Sequence, residues 1–433
     1  MCAQSSYPTR PGSLWILWIT VLIGALNAWT ADAGSSSGSD SLTLEDALAR
    51  TRNGNPELAV RRLEIEARSA RIFQAASRPN PQIGVDAENF AGSGALSGVD
   101  ALETTIRLDQ EFELGGKRAA RKRLAGSEKD LAGWDFNALS LDLEYGVRSA
   151  FTDALVAQER IRILQEGLAV NRQILETAQL RHKAGKAPAT EEMKARMANS
   201  LQHIELDRAV QELEAARIRL AAYWSSAKPD FAGVRGDLKN VPLTGSLDSL
   251  APRLLSHPEL ARWKSESEQR RFAAEVARAD RIPNLSLGGG VRQSNDAGKG
   301  DVALVAGVSM PLPLFNRNQG NIREAGHRLA QAEKEREAAM ARLSSRLRAL
   351  HTGLVSRSEE IAHLKDELLP DAEKTLVASR EAYQLGKLSF LEVLDSQRTL
   401  YELSTRYLST LAEYHKEWNE LQSMVSSGEP GNP

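Results

Sequence analysis

The chain has 433 residues, of which 42% are hydrophobic and 26% charged, with a formal net charge of -2 at pH 7. This balance excludes intrinsic disorder and a polytopic helical membrane protein, and near-neutral charge argues against nucleic acid as the main partner. The one cysteine, Cys2, stands at the extreme N-terminus, so a chain processed behind it has no thiol, no disulfide and no cysteine-based catalysis.

The N-terminus reads as a signal peptide over residues 1–33. Arg10 supplies a basic start, Leu14 to Trp29 an apolar run too short for a comfortable bilayer span, and Ala31-Asp32-Ala33 a cleavage site ahead of Gly34. An uncleaved anchor helix is the alternative. A Ser/Gly-rich stretch from Gly34 to Ser41 follows as a flexible lead. No long apolar run recurs beyond it, so a mature chain that enters a membrane does not do so by helices.

The first helix opens at Leu42-Thr43-Leu44-Glu45-Asp46, with Thr43 and Asp46 at capping-box spacing. Asn55-Pro56-Glu57-Leu58 starts a second helix with proline in its first turn, and that helix ends before Pro79 and Pro81. The same phrase returns as His257-Pro258-Glu259-Leu260, with Pro283 in the place of Pro81. Further on, Ala184-Gly185-Lys186 returns as Leu385-Gly386-Lys387, again at an offset of roughly 200 residues, which marks an internal duplication.

Two strands with period-two patterning are expected in each half, at ~82–90 and ~102–114 and again at ~284–293 and ~301–314. On the second strand one face reads Thr104, Ile106, Leu108, Gln110, Phe112, Leu114, and the other Glu103, Thr105, Arg107, Asp109, Glu111, Glu113. Such alternation suits a half-buried strand of a soluble sheet, or a barrel strand with lipid on one side and water on the other. Gly-rich loops over Ala91 to Val99 and Ser294 to Gly300 close the hairpins. Four strands cannot close a barrel, so transmembrane strands here require oligomerisation.

Each hairpin leads into a long helix. Residues ~117–184 contain no proline, and such a rod needs coiled-coil-like neighbours rather than a compact core. Gly185 breaks it, and a return helix is expected over ~188–227. The second half repeats the plan over ~318–385 and ~389–424, with Pro370 imposing a kink. The expected organisation is a first repeat over 34–227, a joining segment over 228–250, a second repeat over 251–426 and a tail over 427–433.

Taken together, the duplicated Pro-Glu-Leu phrases and the segment Tyr383-Gln384-Leu385-Gly386-Lys387-Leu388-Ser389-Phe390-Leu391-Glu392-Val393-Leu394-Asp395 resemble the TolC family of outer membrane factors over roughly Leu42 to Met424. The junctions Leu114-Gly115-Gly116-Lys117-Arg118 and Pro311 to Gly320 resemble its CzcC-like branch. The resemblance implies a mixed α/β membrane protein: a homotrimer whose strands form one 12-stranded outer-membrane β-barrel, continued by a long α-helical barrel in the periplasm. It further implies a passive exit duct served by a periplasmic adaptor (membrane fusion protein) and an inner-membrane resistance-nodulation-division pump. The branch implies divalent heavy-metal cations as cargo, with drug efflux or type I secretion as the alternatives within the family. No cofactor is implied.

On that resemblance the gate residues are Glu392, Asp395 and Tyr383, joined by Glu191, the repeat counterpart of Glu392; Lys194, the counterpart of Asp395, weakens the first-half ring. Glu392 and Asp395 share a helix face, and their threefold repetition favours cations in a narrow lumen; a solvated helix face is the plainer reading. Leu388 stands where some members carry an arginine, which removes one expected salt link and leaves packing to close the gate. The adaptor-contact turns are Gly185, Lys186, Gly386, Lys387 and Leu388, with Phe390 as a further exposed apolar contact. Glu103, Arg107, Asp109, Glu111 and Glu113 line the barrel lumen. The seven histidines form no spaced pair and support no metal site, and His182 reads as solvated. No phosphate-binding loop, dinucleotide fingerprint or nucleophile elbow occurs, so no enzymatic activity is expected. A periplasmic structural coiled-coil protein is the competing class; it explains the rods but not the two amphipathic hairpins.

Overall fold

The computed structural model describes residues 41–296 and 299–426. The expected signal peptide, Cys2 and the tail over 427–433 lie outside them. Strand β1 (Ser41–Leu42) precedes helix α1 (Leu44–Gly54), which starts with a complete capping box. The Thr43 hydroxyl accepts from the Asp46 backbone N–H at 3.2 Å, and the Asp46 carboxylate accepts from the Thr43 hydroxyl at 2.7 Å.

The duplicated Pro-Glu-Leu phrase has a local physical cause. In α2 (Pro56–Ala75) the Asn55 side chain caps the helix, accepting from Glu57 N–H at 2.8 Å and Leu58 N–H at 3.4 Å. Proline fills the first position, where no backbone donor is needed; Glu57 meets the positive end of the helix dipole, and Leu58 is buried. In α6 (Pro258–Ala279), His257 does the same work through Nδ1, which accepts from Glu259 N–H at 3.2 Å, and Leu260 is buried.

Strands β2 (Gln82–Glu88) and β3 (Glu103–Phe112) form the first hairpin, and β5 (Leu285–Asp296) and β6 (Lys299–Ser309) the second. They join into one antiparallel sheet of order β2-β3-β5-β6. The second hairpin departs from expectation: pairing runs on into the expected loop, with Ser294 opposite Asp301, Asn295 opposite Gly300 and Asp296 opposite Lys299. Strand β6 stops at Ser309, since Pro311 and Pro313 cannot donate to a ladder.

Helix α3 (Lys117–Lys183) runs unbroken for 67 residues, a rod of roughly 100 Å, and α4 (Ala189–Ala222) returns along it. Gly115 and Gly116, both at positive φ, turn the chain from strand to helix; a side chain at Gly115 would run into Ile282. In the second half α7 (Gln319–His363) passes into a π-helical turn (Leu364–Leu368) and then α8 (Leu369–Gln384). The π turn stands just ahead of Pro370, whose missing N–H and ring disturb the α ladder there. Helix α9 (Phe390–Val425) returns.

The segment 228–250 is not a detached linker. Strand β4 (Gly233–Val234) pairs in parallel with β1. The Gln158 amide brackets Val234, accepting from its N–H at 2.6 Å and donating to its carbonyl at 3.0 Å. His415 and His351 bind the carbonyls of Leu238 and Gly245 at 2.8 and 3.1 Å. The segment ends in α5 (Leu247–Leu250) and a 3-10 turn leading to His257.

Lateral order is the same at every level. Helices pack as α2-α3-α6-α7 on the sheet side and as α4-α3-α9-α7/α8 toward the turns, matching the strand order. One edge belongs to the first half of the chain and the other to the second. Exposed apolar side chains concentrate on the first edge, with Val60, Leu63 and Phe73 on α2 and Met193, Met197, Leu201 and Ile204 on α4; the second edge exposes Val377 on α8. The core is three clusters strung along the rods. Among the described residues no helix is long and apolar enough to cross a membrane.

The His257 cap makes the fold acid-sensitive. Burial, opposed by the Glu259 and Asp142 carboxylates, holds the imidazole below its ordinary 6.5. Above 6.5 folded and unfolded chains both carry neutral histidine and the cap is intact; below it the unfolded chain protonates first, so stability falls as pH drops. Thermal unfolding near pH 7.5 and near pH 5 should show a greater acid loss for the natural chain than for His257→Asn, which keeps the acceptor without the titration. Equal acid losses would contradict this.

Candidate functional site

The two long turns are built alike. Gly185 and Gly386, at φ +68° and +75°, end α3 and α8 in the left-handed region. Gly185 N–H donates to His182 O at 2.9 Å and Lys186 N–H to Arg181 O at 2.8 Å. Gly386 N–H donates to Tyr383 O at 2.9 Å and Lys387 N–H to Ala382 O at 2.8 Å. Both are Schellman caps, which satisfy the orphan carbonyls of a helix end. The exposed faces of the turns are Gly185, Lys186, Gly386 and Lys387.

Tyr383 is 2% exposed and joins three elements. Its hydroxyl donates to the Glu191 carboxylate, in the first turn of α4, at 3.1 Å. The Arg181 guanidinium, at the end of α3, lies 4.5 Å from the centre of its ring and donates to the Tyr383 carbonyl. Burial, then the bond to Glu191, pushes the phenol up to about 12, so it stays a donor at neutral pH. Cation, ring and carboxylate thus tie the end of α3, the start of α4 and the end of α8 into one knot.

Phe390 corrects the expectation of an exposed contact. It is 3% exposed and packs with Tyr383, Val393, Ile174, Ala178 and Ala195. Leu388 lies half-buried against the same cluster. The reason is helical phase: Phe390 and Val393 fall on the face of α9 that meets α3 and α8. The apolar side chains exposed here are Leu385 and Leu391.

Glu392 turns back on its own helix. Its carboxylate accepts from the Ser389 N–H at 2.9 Å and hydroxyl at 2.7 Å, a capping box. The Ser389 hydroxyl, then its N–H, hold the carboxyl below the usual range. Asp395 and Lys194 are exposed. Glu192 pairs with Arg196 at 2.6 Å, and the His182 ring meets the Ala187 carbonyl at 3.2 Å.

At the sheet, period-two alternation separates two faces. Ile83, Val85, Ile106, Leu108, Phe112, Leu287, Val291, Val302, Leu304 and Val308 stand exposed on one. The other carries Glu103, Arg107, Asp109 and Glu111, together with Asp86, Glu88 and Arg292, which strand patterning of the first half alone did not single out. Arg107 pairs with Asp109 at 2.8 Å and Asp86 at 3.4 Å; Arg292 pairs with Glu103 at 3.0 Å and Glu88 at 3.5 Å. Glu111 accepts from Asn284 at 2.5 Å. Glu113, beyond the strand, forms a two-bond pair with Arg121. Among the described residues no group of three or more His, Cys, Asp or Glu side chains is placed to hold a metal ion.

An exposed apolar band on a four-stranded sheet, long capped rods and a tied pair of turns define a channel-forming outer-membrane architecture. The chain belongs to the outer membrane efflux protein family, whose model matches residues 47–226 and 252–427. It is 31% identical over 375 residues to the cobalt-zinc-cadmium resistance protein CzcC of Cupriavidus metallidurans, covering 87% of this chain and 88% of that protein. It is 26% identical to the pyoverdine export outer membrane protein OpmQ of Pseudomonas aeruginosa, covering 72% and 68%. The fold matches the crystal structure of the outer membrane protein VceC from Vibrio cholerae with a TM-score of 0.73 at 16% identity, covering 89% of this chain and 97% of that one. The protein is an outer-membrane protein.

The Schellman cap gives a direct check. Gly386→Ala forces a side chain into the left-handed region at a cost of about 1 kcal/mol. Hydrogen exchange of the amides at positions 386 and 387 should then speed up about fivefold. Unchanged exchange would mean that the turn tolerates another backbone path.

Proposed function

We propose that the protein is the passive exit duct of a tripartite efflux system, a homotrimer that closes a 12-stranded barrel in the outer membrane and a helical tube reaching into the periplasm. The observation that carries the reading is the common lateral order of sheet and rods. One copy leaves strands β2 and β6 unpaired on their outer sides among the described residues, with α2/α4 at one margin, rich in exposed apolar side chains, and α7/α8 at the other. Lipid tolerates no open sheet edge, and margins drawn from different halves suit head-to-tail closure into a ring.

In this reading the turns are the periplasmic gate. The Arg181–Tyr383–Glu191 knot holds it shut, and the exposed Gly185, Lys186, Gly386 and Lys387 receive the adaptor, with Leu388 packed beneath them. Asp395, together with Glu392 once its cap is released, supplies cation preference. The cargo is a divalent heavy-metal cation delivered by a resistance-nodulation-division pump, a reading supported by the 31% identity to a cobalt-zinc-cadmium resistance protein. Siderophore export is the second reading, supported by the 26% identity to OpmQ.

Two experiments test these statements. Deleting the gene should lower tolerance of zinc, cobalt or cadmium; unaltered tolerance of all three, with loss of siderophore export, would favour the second reading. In planar bilayers, Arg181→Ala with Tyr383→Phe should raise the resting conductance of reconstituted trimers roughly twofold or more, because the knot that ties the turns is gone. An unchanged conductance would mean that the knot does not hold the gate.

A further inference from the structure

The polar face of the sheet has an order that alternation alone does not convey. Cross-strand register arranges it in rows. The outermost row that crosses all four strands holds Glu88, Glu103, Ser294 and Asp301; the next holds Asp86, Thr105, Arg292 and Ala303; the third Gly84, Arg107, Gly290 and Val305; the fourth Gln82, Asp109, Gly288 and Gly307. Each arginine is bracketed by two carboxylates, one of them on β2. Arg292 also donates to the Thr105 hydroxyl at 3.1 Å.

Glycine makes room for this. A side chain at Gly288 would collide with the Asp109 carboxylate, and one at Gly290 with the backbone of Ile106 and Arg107. At Gly84 a methyl group would sit 3.7 Å from the Arg107 side chain. Arg107 and Asp109 therefore lie flat across a glycine floor instead of standing up from the wall.

Stability does not account for the arrangement. Arg107 and Asp86 are 48% and 47% exposed, and pairs this wet are worth on the order of 0–1 kcal/mol. Charge does. Among the described side chains this face sets the carboxylates of Asp86, Glu88, Glu103, Asp109, Glu111 and Asp301 against only the guanidiniums of Arg107 and Arg292. Fixed charge of one sign inside a low-dielectric wall focuses the field on a water-filled lumen.

We propose that this face is a second charge-selective section of the duct, and that Arg107 and Arg292 set its selectivity by pinning and partly neutralising the carboxylates beside them. The proposal rests on the duct reading. Removing either arginine adds one unit of net negative charge per copy, repeated by symmetry, and frees two carboxylates to stand into the lumen.

The test is a reversal-potential measurement on reconstituted trimers in a potassium chloride gradient, made in the Arg181→Ala, Tyr383→Phe background so that the turns do not limit the current. Arg107→Gln with Arg292→Gln should raise the potassium-to-chloride permeability ratio about twofold or more, and Glu88→Gln with Glu103→Gln should lower it by a similar factor. A ratio unmoved by both pairs overturns the proposal. If the arginine pair fails to give heat-modifiable trimers, the glutamate pair alone decides. Trimers that conduct in no variant would count against the duct reading itself, a separate outcome.

Discussion

The unpaired backbone at the two sheet edges is the constraint from which the rest follows. Every N–H and C=O on the outer sides of β2 and β6 needs a partner, and hydrocarbon supplies none. Among the described residues one chain contributes the strands β2-β3-β5-β6 to this sheet, with an apolar face exposed from Ile83 to Val308. The helices inherit the strand order because each hairpin sits between its own pair of helices: α2 leads into β2 and β3 into α3 through Gly115-Gly116, while α6 leads into β5 and β6 into α7 through residues 310–318. The first-half margin carries the larger share of exposed apolar side chains, on α2 and α4. In the proposed ring, closure by further copies is one geometric requirement on membrane and aqueous parts alike.

Duplication supplies this wall economically, but the halves are not equivalent where function concentrates. Asn55 and His257 cap the same helix start with different titration behaviour. The first rod is one helix to Lys183, while the second is interrupted by a π turn before Pro370. At the turns, the first half contributes Arg181 and Glu191, and the second contributes the tyrosine both of them grip. The knot exists only because the halves differ.

Much of this was legible in the chain. The rods follow from the absence of proline across more than sixty residues, and the hairpins from alternation at Glu103 to Leu114. What was not legible depends on register between distant segments. Arg181 and Tyr383 are 202 residues apart, and no local pattern joins them. Arg292 was masked because Gly288, Gly289 and Gly290 dilute the alternation of β5. The glycine-rich stretch after Ser294 reads as a loop, although Asn295 and Asp296 pair with Gly300 and Lys299. Phe390 read as exposed because a turn lay beside it, while helical phase turned it inward. The joining segment is held by single side chains, Gln158, His351 and His415, whose partners only the folded chain reveals.

The proposed ring closes head to tail, a first-half margin against a second-half margin. With Cys2 replaced by serine, cysteines placed singly at Met193 on α4 or Val377 on α8, or together, test it by crosslinking with a short bis-maleimide in outer-membrane fractions. Both positions are exposed and lie at similar distances from their turns. Head-to-tail closure gives a ladder ending at a covalent trimer only when both cysteines are present. Crosslinked dimers from either single variant, or no ladder from the pair, would contradict it.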